Sequence, residues 1–79
     1  METRYIVEFI SLAKTLSYSR SAKELHLSQS SLTRHIQMME KELGPLFVRT
    51  TRKIELSNQG KIYLAYAVKI AEAEQKAEA

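Results

Sequence analysis

Apolar residues first recur at helical spacing at Ile6, Phe9, Ile10, Ala13 and Leu16, which predicts a helix over residues 4–15 with one buried face. Thr3 is placed to cap it. The serines of Ser17-Tyr18-Ser19 break the period, and Ser19 is the expected N-cap of a short helix over 20–25 carrying Ala22 and Leu25. His26-Leu27 reads as a turn and Ser28 as the next cap. A longer amphipathic segment follows over 29–43, its stripe Leu32, Ile36, Met39 and Leu43 lying within a sector of roughly 60°. Gly44 is a natural residue just past a helix end, and Pro45 stops continuation. Residues 46–48 and 53–56 are short β-leaning runs around Thr50-Thr51-Arg52, a small hairpin with a basic tip but no glycine in its turn. Ser57 or Asn58 caps a last helix that runs toward the C-terminus. Phe9, Leu12, Leu32, Ile36 and Phe47 are the expected core.

Composition narrows the possibilities. At 79 residues the chain allows one small core, and folding buries only about 60–65% of the unfolded surface at this size. The absence of cysteine excludes disulfides and thiolate metal sites. His26 and His35 have no ligand-spaced partners, so no metal is expected and both read as ordinary turn or surface residues. A partner subunit is the remaining support for so small a core. No carboxylate pair, glycine-rich phosphate loop or Ser–His–acid arrangement is visible, so neither an enzyme nor a cofactor is expected. No apolar run approaches a membrane span and the start is unlike a signal peptide, which reads as a soluble, cytoplasmic domain.

The net charge of +3 is unevenly placed. Residues 45–61 hold Arg49, Arg52, Lys53 and Lys61 against Glu55, a local charge equal to that of the whole chain. A solvated loop and a polyanion-binding surface both fit that cluster on charge alone. The outer face of the 29–43 helix favours the second. It presents Ser30, Thr33, Arg34, Gln37 and Lys41 where Glu and Lys dominate an ordinary solvated face. Gln29, Ser30 and Ser31 occupy the first turn, where backbone N–H groups favour phosphate. Gln29 and Arg34 are the candidates for base contact, with a phosphate contact the equal alternative for Arg34. Ser30, Ser31 and Thr33 suit phosphate or water. A short helix, a tight turn and a longer helix with this face make a helix-turn-helix, whose second helix lies in a major groove. Arg49, Arg52 and Lys53 then form a wing beside it. A protein-interaction module with inherited helix-turn-helix geometry is the competing reading. The last helix is apolar around most of its circumference, more than its own small domain can cover. Ile62, Tyr63, Tyr66, Ala67 and Ile70 are therefore expected at a seam with a second copy.

The order of motifs resembles the N-terminal DNA-binding domain of LysR-type transcriptional regulators. Its parts here are Phe9, Tyr18-Ser19-Arg20-Ser21-Ala22, the run from Leu25 to Ile36 containing Ser28-Gln29 and Thr33-Arg34, Glu40-Lys41-Glu42-Leu43-Gly44, Leu46-Phe47-Val48-Arg49 and Ile54-Glu55-Leu56-Ser57-Asn58-Gln59-Gly60. The resemblance spans essentially the whole chain. Ser30 stands where many relatives carry proline, Ser21 where alanine is frequent, Met39 where leucine is usual and Gln59 where alanine is common. It implies a mainly α fold: a winged helix-turn-helix over 1–57, with a three-helix core and a small β-hairpin wing, then a long linker and dimerisation helix over 58–79. It implies sequence-specific binding of double-stranded DNA by a bacterial homodimer on a palindromic operator, with helix 29–43 in the major groove and wing 46–56 on the adjacent backbone or minor groove. Full-length members add a C-terminal domain that senses a small-molecule effector, so the chain reads as a fragment without that half.

Overall fold

The computed structural model describes residues 2–78. Three helices come first: α1 (Thr3–Thr15), α2 (Tyr18–Glu24) and α3 (Gln29–Leu43). Strands β1 (Phe47–Arg49) and β2 (Ile54–Leu56) and a long helix α4 (Asn58–Glu78) complete the chain. The strands pair antiparallel, with Phe47 opposite Leu56 and Arg49 opposite Ile54. The mainly α, winged arrangement is the one expected, and differences lie at element ends.

Helix α1 begins at Thr3, so Thr3 is its first residue and not its cap. The Thr3 hydroxyl instead donates to Glu74 Oε1 on α4 at 2.9 Å. Leu16 ends the helix in the left-handed region at φ 52°, its N–H bonded to Leu12 O at 2.8 Å. That reversal leaves Ser17 extended, so Ser17 and not Ser19 caps α2, accepting the Arg20 N–H at 3.2 Å. Small hydroxyls let α1 and α2 approach closely. Ser11 Oγ donates to the fully buried Ser21 Oγ at 2.9 Å, and Thr15 Oγ1 lies 2.7 Å from the same atom.

The expected core residues Phe9, Leu12, Leu32, Ile36 and Phe47 are all buried, joined by Ile6, Ala22, Met39, Leu46 and Ala67. Phe9 is the centre, its ring 5.6 Å from Phe47 and 5.3 Å, edge-on, from Tyr63. Contacts from Phe9 to Tyr63 and from Thr3 to Glu74 show α4 running antiparallel along α1.

Gly44 ends α3 at φ 85° and ψ 178°, a backbone region open mainly to glycine. The hairpin needs no glycine because the Thr50 side chain organises its turn. Thr50 Oγ1 accepts the N–H groups of Arg52 and Lys53 at 3.4 and 3.2 Å, while Thr50 N–H donates to Lys53 O at 2.9 Å. Ser57 caps α4, accepting Gly60 N–H at 2.9 Å and donating to Pro45 O at 2.6 Å.

Candidate nucleic-acid interface

Helix α3 is closed at its start by a side-chain cap and positioned by its buried stripe and by side chains at two further points. Ser28 Oγ accepts the Ser31 N–H at 3.1 Å and donates to Ser31 Oγ at 3.0 Å, so the predicted cap is present. The first-turn N–H groups of Gln29 and Ser30 lie outside any helical hydrogen bond, as geometry requires at a helix start. Midway, His35 Nδ1 lies 2.6 Å from Glu8 Oε1, both side chains largely covered at 15% and 7% exposure. The Tyr5 ring packs 4.7 Å from the imidazole. His35 is thus no ordinary surface residue: it joins α3 to α1 across 27 positions of sequence. Near the C-terminal end, Glu40 Oε2 accepts the Leu46 and Phe47 N–H groups at 2.9 and 3.1 Å.

This leaves Gln29, Ser30, Arg34, Gln37 and Lys41 exposed on the opposite face, with Ser31 and Thr33 half-buried. Among the described residues the Arg34 guanidinium makes no ion pair or side-chain hydrogen bond, and neither does that of Arg52 at the exposed hairpin tip. The other two wing cations are engaged. Lys53 Nζ lies 2.9 Å from Glu55 Oε1, a fully solvated pair that raises the lysine and lowers the carboxyl from their ordinary values through the shared hydrogen bond. Arg49 Nη2 donates to Tyr18 Oη at 2.7 Å and to Glu40 Oε1 at 3.1 Å. Burial pulls that guanidinium down, but these bonds outweigh it and leave it above its ordinary value. Sequence reasoning missed Tyr18, Glu40, Glu8 and His35 as partners. Glu40 and Arg49 did carry a signal, since both belong to the motif pattern quoted above.

The expected seam of α4 divides in two. Ile62 and Tyr66 are exposed at 58% and 62%, and Ile70 at 39%. Tyr63 and Ala67 turn the other way: Ala67 is fully buried and Tyr63 packs on Phe9, so both cover the domain's own core. Burial, with the Glu42 carboxylate second, pushes the Tyr63 phenol above its ordinary value.

The family model for bacterial regulatory helix-turn-helix proteins of the LysR family matches residues 4–61. The chain belongs to that family. It is 41% identical over 71 residues to the HTH-type transcriptional regulator BudR of Klebsiella aerogenes, covering 89% of this chain and 50% of that protein. Among solved structures, the complex of the CbnR DNA-binding domain with DNA superposes with a TM-score of 0.92 at 37% identity, covering 99% of this chain and 91% of that one. Full-length CbnR with its target DNA gives 0.91 at 37% identity over 99% of this chain and 27% of that one. The chain spans 23% to 50% of the length of the first curated relatives it matches. Membership in a regulatory family agrees with the non-enzymatic reading. No described helix is long and apolar enough to cross a membrane.

Proposed function

We propose that this LysR-family chain is the DNA-binding part of a dimeric bacterial transcriptional regulator acting in the cytoplasm. Residues 1–57 form the reading head and 58–79 the dimerisation helix. Helix α3 enters the major groove with Gln29, Ser30, Ser31, Thr33, Arg34 and Gln37. The hairpin lies on the adjacent backbone or minor groove, with Arg52 and Lys53 foremost. On α4, Ile62, Tyr66 and Ile70 face the second copy across a palindromic operator. A small-molecule effector acts through a C-terminal domain of the kind full-length family members carry.

The observation that carries this reading is the pair of uncommitted guanidiniums, Arg34 and Arg52, on two exposed elements whose partners hold them in fixed relation. A guanidinium with no protein partner, on a face of small hydroxyls, matches guanine edges and phosphates. Duplex selected from a random pool supplies the test, read by fluorescence anisotropy. Arg34→Ala is expected to weaken binding to the selected duplex about fivefold or more, from the 1–3 kcal/mol of one bidentate base contact. Binding to random duplex should fall far less. Equal losses on both would remove Arg34 from base readout. No binding to any duplex at low salt would favour a protein-interaction module.

A further inference from the structure

Arg49 ends strand β1 on the wing, yet its guanidinium reaches back to two helices. Its Nη2 bonds Tyr18 Oη on α2 at 2.7 Å and Glu40 Oε1 on α3 at 3.1 Å, and its central carbon lies 5.9 Å from the Tyr18 ring centre. The second oxygen of Glu40 takes the Leu46 and Phe47 N–H groups. One carboxylate therefore holds both ends of the strand, the backbone that opens it and the cation that closes it. Glu40 is mostly covered at 15% exposure and Arg49 partly so at 41%. Beyond Arg49, residues 50–53 are exposed. The direction of the hairpin tip is set at its root.

The chemistry of the guanidinium adds a second argument. Its bidentate grip on phosphate uses one of two forks, Nε with Nη2 or Nη1 with Nη2. Both include Nη2, which already donates to Tyr18 and Glu40.

We propose that Glu40, Arg49 and Tyr18 form a clamp that fixes the wing relative to α3, and that Arg49 serves DNA binding as a positioning residue and not as a phosphate ligand. Its functional half rests on the DNA-binding reading above. Arg49 thereby separates from Arg52, with which its charge grouped it in the sequence.

Tyr18→Phe is the decisive variant, because it removes one hydroxyl and changes no charge. It is compared with Arg49→Met and the double variant in two measurements. Amide hydrogen exchange without DNA is expected to quicken across residues 47–56 in Tyr18→Phe while α1 and α3 keep wild-type protection. With the selected duplex, affinity should fall about threefold to tenfold, the scale of one charge-assisted bond at a partly exposed site. Hydroxyl-radical protection should disappear beneath the wing and persist beneath α3. In the Arg49→Met background, Tyr18→Phe should add nothing, since the two side chains act as one unit. The proposal is overturned by wild-type exchange and affinity in Tyr18→Phe, by additive losses in the double variant, or by protection that fades uniformly. If wild-type protein binds no duplex, the DNA-binding reading fails and the exchange comparison alone decides the clamp.

Discussion

Gly60 lies where α4 passes the start of the wing, and it has no room for a side chain. A Cβ there would sit 2.0 Å from Leu46 O, the same carbonyl that accepts the Ser57 N–H at 2.9 Å. Backbone cannot yield as a side-chain tip does, so Gly60→Ala forces α4 away from Leu46 and breaks that bond. The expected cost is about 2 kcal/mol or more, as for overpacking a tight core, read as a lowered midpoint in urea. An unchanged midpoint would mean the two segments part freely. The glycine was visible in the sequence as part of a motif, but the carbonyl it makes way for was not. The same limit hid the His35–Glu8 pair. Neither residue has a local partner, and only the crossing of α1 and α3 brings them to 2.6 Å. Short-range spacing describes faces of one helix, not what another helix lays against them.

At the scale of elements, the bounds of α3 are legible in the sequence because its apolar stripe, its Ser28 cap and its Gly44 stop agree. Where signals competed, the ends moved. Ser17 and Ser19 are equal as caps by residue type, and the left-handed turn at Leu16 decided for Ser17. Strand β1 starts at 47 and not 46 because Leu46 is drawn into the core and its N–H goes to Glu40. The Ser28 cap has a consequence of its own. It satisfies the Ser31 N–H at the end of α3 that carries Gln29 and Ser30. Ser28→Ala should cost about 1 kcal/mol of stability and raise amide exchange in the first turn of α3 ahead of its middle. Equal exchange throughout the helix would show that packing alone holds the end.

For the whole molecule, α4 both completes a core and leaves a face uncovered. Tyr63 and Ala67 close the core over Phe9, while Ile62 and Tyr66 stay more than half exposed. The apolar circumference of α4 is legible in the sequence, but its division is not, since the packing line of α1 decides which residues are left over. Ile62→Glu with Tyr66→Glu should leave the monomer folded, because neither side chain is in the core. In sedimentation, wild-type protein at tens of micromolar is expected as a dimer and the double variant as a monomer; a monomeric wild type would remove the seam. Helix α3, for its part, is tied to its neighbours midway by Glu8 and near its end through Glu40 to the wing root. A helix held at two points along its length, over a buried stripe, resists rolling or sliding to improve a poor fit. Under the proposed function, the duplex must then absorb any misfit by bending or changing its twist. That elastic cost depends on the stacking steps between contacted bases, so the domain would rank operators by the stiffness of base pairs it never touches.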